Sequence, residues 1–362
     1  MKCNPAPLPE PEIIDVEAVF RQWKAGEIEL VVVLGPTASG KTRYAVDLCR
    51  QFNALAGEAV AEIISADSRQ VYRGMDIGTG KDLDEYGEIP YHMIDIADAG
   101  ERYDLYSYQA DFEKVFSEMT TRGALPVVCG GTGLYIQAVT SAYELSSVPP
   151  NPELRAELEM EDIEELREAL LERRDADRET LLSKRRLIRA LEIAFYEAEH
   201  PVEKTSYRAK NAYFIGTLVT VEERNARIDS RLRERLEGGL IEEVKGLLES
   251  GVRPESLINY GLEYKFVTQH VLGVIDYDTM FTLLSTAIHQ FAKRQMTFFR
   301  GMESRGTLIH WTIPASRRLE ENEQKIAALR AAIDEGESSG YVDNFDFESH
   351  LREIGAADQN NV

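Results

Sequence analysis

Cysteine is scarce in this chain: three in 362 residues, at Cys3, Cys49 and Cys129, all far apart. That spacing excludes a disulfide framework and a cysteine metal site, and it points to a reducing cytoplasm. The six histidines include no H-E-x-x-H pair, so no zinc site of that kind is written into the sequence. No apolar run approaches the ~20 residues of a membrane span, so no membrane partner is expected. The opening MKCNPAPLPEPE lacks the apolar stretch of a signal peptide, and residues 1–27 are read as a disordered lead. Positive charge is also in deficit, with a net charge of −22. Proteins that neutralise nucleic-acid phosphates usually show a basic face, although total charge does not exclude one. The negative excess is concentrated. Glu153 to Glu179 hold 12 acidic and five basic residues, and Ala315 to Val362 hold 11 and five.

What is present begins with VVVLGPTASGKT, Val31 to Thr42. It follows the phosphate-loop pattern G-x-x-x-x-G-K-[ST]. Leu30 to Leu34 is a short valine-rich run that reads as a buried strand, and Arg43 to Gln51 reads as a helix with Tyr44, Ala45 and Leu48 on one face. A strand, a glycine turn and a helix N-terminus make an anion cradle, because backbone N–H groups and the positive helix end converge on the ligand. Gly35, Thr37, Ala38, Ser39 and Gly40 form the turn. Lys41 adds a point charge, and the Thr42 hydroxyl is suited to ligating Mg2+. The motif identifies a phosphate and leaves the reaction open among kinases, NTPases and diphosphate-using transferases.

The first two-thirds of the chain alternate between strand and helix. Glu62–Asp67, Tyr91–Ile96 and Leu125–Tyr135 contain further strands, the last running into a second glycine turn, and Ser107–Gly123 reads as an amphipathic helix. This alternation predicts an α/β fold: a P-loop NTPase-like parallel sheet core covered by helices. Helical periodicity without strands then marks a helical insertion over 145–211, between a first part of the core at 28–144 and its completion at 212–314. An acidic tail follows over 315–362. Sheets of this class bind ligands at the carboxyl ends of their strands. Asp67 falls there, as a metal ligand, a general base or a helix cap. Gln70 carries an amide that can donate and accept at an adenine edge. Thr132, in GGTGLY, brings a hydroxyl to the same rim.

GPTASGKT, SADSRQVYRGMDIGTGK, GGTGLYIQAV, RALEI, RIDSRL and AKRQMTFFR, in this order over about Leu30 to Trp311, resemble the tRNA dimethylallyltransferases, also called tRNA isopentenyltransferases. The D-S-x-Q-x-Y and G-G-T-x-L-Y pair carries most of the specificity. The resemblance implies transfer of a dimethylallyl group from dimethylallyl diphosphate to N6 of the adenosine at tRNA position 37, 3′ of the anticodon, with Mg2+. It implies Asp67 as base, Arg231 as a diphosphate ligand and Thr132 beside the reacting centre. Ser68 and Gln70 match positions that receive the flipped base of the tRNA anticodon loop, and Arg69 is counted with them as tRNA-binding. Arg185, Arg186 and Arg189, in KRRLIR, match its tRNA-contacting stretch. Lys293, Arg294 and Arg300 lie among aromatics suited to RNA or to the core. A monomer is expected. Two features depart from the pattern: NYGLEYKF, Asn259 to Phe266, replaces a GYKE-like segment, and the insertion is acidic where an RNA stem would lie. Three other readings remain: transfer to a free adenine nucleotide, a phosphate-loop small-molecule kinase, and a non-catalytic binding protein.

Overall fold

A computed structural model describes residues 8–141, 148–200 and 207–314. These fall almost wholly within one unit, Met1–Thr312. The acidic tail from Ala315, the first seven residues of the lead, and the expected boundary near 144 lie outside the described residues.

The lead is not structureless. Asp15 accepts the Ala18 N–H at 2.9 Å and caps helix α1, Val16–Lys24. Val16, Val19, Phe20 and Trp23 repeat at helical spacing, and this face packs on the main core with Val19 buried. The expectation of disorder was read from MKCNPAPLPEPE and passed over that periodicity.

Strand β1 (Leu30–Leu34) leads through the glycine turn into α2 (Lys41–Ala56). Then come β2 (Ala61–Ser65), β3 (Tyr91–His92), α3 (Leu105–Thr121), β4 (Leu125–Gly130) and α4 (Gly133–Thr140). After the insertion, β5 (Ala212–Thr217) is followed by α9 to α13 and β6 (Ile309–Thr312). The six strands pair in the order β3-β2-β4-β1-β5-β6, all parallel. Every residue of β1, β2 and β4 is buried, as a parallel sheet covered on both faces requires. Leu34 is in register with Gly130 and Gly216, so three strands end at one level. Among the described residues no helix is long and apolar enough to cross a membrane.

The third strand is shorter than its sequence suggests. Met93 and Asp95 take left-handed backbone conformations, with φ of 65° and 56°, and end β3 after His92. Asp95 thereby turns its carboxylate to the buried Lys81.

The insertion contains α5 (Pro152–Met160), α6 (Ile163–Leu171), α7 (Arg178–Leu181) and α8 (Lys184–Glu199). It has its own apolar cluster of Leu166, Leu170, Leu187, Ile188 and Leu191. On the far side of β5, α9 (Val221–Glu237), α10 (Leu240–Glu249), α11 (Pro254–Tyr260), α12 (Leu262–Val271) and α13 (Tyr277–Ser304) share a third cluster with Val71, Tyr72 and Met75. That cluster presses the segment after β2 against the helices, and so shapes the rim of the sheet.

Candidate active site

The carboxyl ends of β1, β2 and β4 open into one cleft, because adjacent parallel strands deliver their loops to the same edge. Thr37, Ala38, Gly40, Lys41 and Thr42 line it from the turn after β1. Ala38 and Gly40 have positive φ, 61° and 78°, so successive N–H groups turn toward the hollow. Gly35 and Ser39 lie behind this lining. The Ser39 hydroxyl is buried and hydrogen-bonds the Thr217 hydroxyl at 2.6 Å, which ties the turn to β5.

Asp67 and Gln70 line the opposite wall. Asp67 Oδ1 accepts the Arg69 N–H at 2.9 Å, which fixes the carboxylate and turns Oδ2 to the cleft. Thr132 stands behind this wall: its Oγ1 accepts the Ser68 N–H at 3.1 Å, joining the loop after β4 to the one after β2. Gln70 is held at both ends. Its Oε1 accepts from Ser65 Oγ at 3.2 Å, and its Nε2 donates to the Gly80 carbonyl at 3.2 Å. One lone pair and one N–H of the amide remain for a ligand.

Arg231 reaches the cleft from α9 and pairs with Asp82, a residue in left-handed conformation. Arg235, one turn further on, lines the same cleft and faces Glu263 at 3.4 Å. The wall also holds Glu85 and Cys129. Burial, then Asp82, push the Glu85 carboxyl above its usual range, against the pull of Arg231, Arg43 and Lys41. Burial pushes the Cys129 thiol up to about 12, so it stays protonated and inert. Lys41, Arg231 and Arg235 thus bring three cations to the hollow, an arrangement suited to an anionic ligand.

For magnesium, among the described residues no group of three or more His, Cys, Asp or Glu side chains could hold an ion alone. The donors fit a Mg2+ that takes most of its ligands from phosphate oxygens and water, with Thr42 at the start of α2 as the protein oxygen.

Five contributors were not singled out from the sequence: Gln295, Arg235, Asp82, Glu85 and Glu243. Gln295 Oε1 accepts the Thr37 N–H at 2.8 Å, and Nε2 donates to the Gly131 carbonyl at 2.9 Å. What marks Gln295 in the sequence is its place on the apolar stripe of α13, between Ala292 and Phe299. A polar residue on such a stripe needs buried partners. Arg235 lies one turn beyond Arg231 on the same helix face. Phe299 is core, and Phe298 is half-buried beside Gly133.

Arg185, Arg186 and Arg189 do not line the cleft. Arg185 and Arg186 are exposed on α8. Arg189 closes the insertion on itself, pairing with Glu192 and donating to the Val148 carbonyl at 2.7 Å. The GLEYK departure places Glu263 beside Arg235, and the Tyr264 hydroxyl on Glu243 at 2.6 Å.

Sheet order, glycine turn and cation-lined cleft define a phosphate-loop α/β protein with a helical insertion. The family model for IPP transferase matches residues 70–302. The chain is 49% identical to the tRNA dimethylallyltransferase 2 of Bacteroides fragilis over 300 residues, 82% of this chain and 95% of that one. It is 50% identical to the enzyme of the same name from Porphyromonas gingivalis over 299 residues, 80% and 97% of the two chains. The solved full-length tRNA isopentenylpyrophosphate transferase of Bacillus halodurans superposes with a TM-score of 0.57 at 30% identity, covering 85% of this chain and 99% of that one. The chain belongs to the IPP transferase family. A second family model, described as a bacterial antitoxin of the ParD toxin-antitoxin type II system and RHH, matches residues 311–360, almost all outside the described residues.

Proposed function

We propose that this chain transfers the dimethylallyl group from dimethylallyl diphosphate to N6 of the adenosine at tRNA position 37, 3′ of the anticodon. The observation that carries the reading is the single cleft in which Lys41, Thr42 and Arg231 face Asp67 and Gln70. An exocyclic adenine amine is a weak nucleophile, so the step needs a base and a stabilised leaving group. N6 attacks C1 of the dimethylallyl group, the C1–O bond breaks, and diphosphate leaves. Asp67 Oδ2 takes the N6 proton, a role worth on the order of 10²–10⁴ in rate. Lys41, Arg231, Arg235 and the turn N–H groups receive the charge that develops on the leaving oxygen. Mg2+ held at Thr42 with diphosphate oxygens would neutralise part of that charge.

On the acceptor side, the base is flipped out of the anticodon loop toward Gln70 and Ser68, with unstacking offset by contacts in the cleft. Arg185 and Arg186, exposed on α8, are the insertion's contribution to RNA binding in this reading. The relatives' names, and their coverage of the insertion within a match of about 300 residues, support a polymer acceptor.

The test is transfer of label from radiolabelled dimethylallyl diphosphate with Mg2+, offering bulk tRNA or AMP, ADP and ATP in separate reactions. Label in tRNA, located at N6 of adenosine 37 by nucleoside mapping and lost in Asp67→Ala, is the expected result. Label in nucleotide alone would move the acceptor to a free adenylate.

A further inference from the structure

We propose that Glu243 is a positioning residue for the transfer reaction: its carboxylate fixes the Asp76–Gly80 turn, and through it the Gln70 side chain at the acceptor wall. The inference rests on the function proposed above.

Glu243 lies on α10, outside the residues that line the cleft. Its Oε2 accepts the N–H groups of Asp76 at 2.8 Å and Ile77 at 2.7 Å. Its Oε1 accepts the Gly78 N–H at 3.1 Å and the Tyr264 hydroxyl at 2.6 Å. Four donors converge on one carboxylate, and three belong to consecutive residues of one turn. Successive N–H groups pointing inward form an anion nest, here filled by a side chain of the protein. A charged acceptor strengthens each bond, and removing it strands all four donors.

The turn has little freedom to settle elsewhere. A Cβ on Gly78 would lie 2.7 Å from the Tyr264 ring, and one on Gly80, at φ of 59°, would lie 1.8 Å from the Arg235 guanidinium. At its far end Lys81, 2% exposed, donates to Asp76 Oδ1 at 2.5 Å and to the Tyr72 carbonyl at 2.7 Å. What the turn presents to the cleft is Thr79 and Gly80. The Gly80 carbonyl accepts from Gln70 Nε2, so the height of the turn sets the orientation of the Gln70 amide. The chain of contact runs from Glu243 through the turn to Gly80 and then to Gln70. It does not reach the phosphate loop or Lys41, and among the described residues its one link to a donor-side group is the long bond from Arg235 to the Gly78 carbonyl at 3.4 Å.

The experiment compares wild type, Glu243→Gln, Gln70→Ala and the double variant, with separate KM values for dimethylallyl diphosphate and tRNA. In Glu243→Gln, kcat/KM for tRNA should fall by up to about 10²-fold, as small misplacements of binding groups do. KM for dimethylallyl diphosphate should change less than KM for tRNA, because the turn meets the donor side only through the Arg235 bond to Gly78. The double variant should be no worse than the poorer single one, because both changes act on the same group. Additive losses, or donor and tRNA KM values moving together, would overturn the proposal. Should Glu243→Gln not fold, Tyr264→Phe, which removes one donor and keeps the charge, must give a smaller change in the same tRNA parameter. If wild type transfers nothing to tRNA, the functional reading fails and this inference falls with it. If wild type is active and Glu243→Gln equals it, only the inference fails.

Discussion

The Gln295 carboxamide oxygen accepts the Thr37 amide at 2.8 Å, linking the last long helix to the phosphate loop across 258 residues of sequence. The same side chain donates to the Gly131 carbonyl at 2.9 Å, so one amide bridges the two glycine turns. Gln295→Leu strands a half-buried N–H and a buried carbonyl, the latter costing about 1–3 kcal/mol. A lower Tm and a raised KM for dimethylallyl diphosphate are expected, from thermal melts and steady-state kinetics. An unchanged donor KM would show that the turn holds its shape without the bridge.

Asp67→Asn keeps an Oδ1 acceptor for the Arg69 N–H and removes only the basicity. The general-base role predicts a kcat loss on the order of 10²–10⁴ with both KM values little changed. Loss confined to KM would instead make Asp67 a binding group.

Arg231 is paired with Asp82 at a half-exposed position. Diphosphate and Asp82 therefore compete for one guanidinium. Asp82→Asn should lower KM for dimethylallyl diphosphate by about five-fold, the size expected for releasing an exposed ion pair of up to ~1 kcal/mol. A rise in KM would mean that Asp82 assists binding, through the metal or its waters.

Glu192 supplies a pH dependence. Burial alone would raise its carboxyl, but hydrogen bonds from Arg155 and Arg189 and from the Asn151 N–H outweigh that, and the net shift is downward. A lowered folded value means that the unfolded chain binds the proton more readily, so the stabilisation is present above the ordinary carboxylate range. It is lost as pH falls from about 4.5 through the folded value. Far-UV melts of wild type and Glu192→Gln should differ at neutral pH and converge as pH falls below the ordinary carboxylate range. A constant gap across that range would assign the stabilisation to shape alone.

Much of the fold was legible because its signals are local. A phosphate loop fixes a strand, a turn and a helix within 12 residues, and all-buried parallel strands read as apolar runs. The short β3 was not legible, because Met93 and Asp95 turn left-handed and the Asp95 carboxylate meets Lys81, outside the apolar run that reads as a strand. Helix α1 was hidden by the proline-rich residues just before it. In the site, Asp67, Lys41, Thr42 and Arg231 were reachable through motifs, and they do share one cleft. Gln295 and Glu243 were not, since each works by hydrogen bonds to backbone groups far along the chain, which no spacing encodes. Arg189 shows the reverse. A basic cluster reads the same whether its arginines face solvent or, as here, close on Glu192 and the Val148 carbonyl.

The insertion departs from the core and rejoins it at nearly one point: the Lys210 N–H donates to the Val139 carbonyl at 3.1 Å. Its apolar cluster and the Arg155–Glu192–Arg189 knot are internal to it. Such a segment is a cassette: joining Val139 to Lys210 with a tight turn would leave every strand pairing of the sheet in place. On the function proposed above, exchanging this one contiguous stretch of chain is expected to change the RNA contacts and leave the diphosphate cleft as it is.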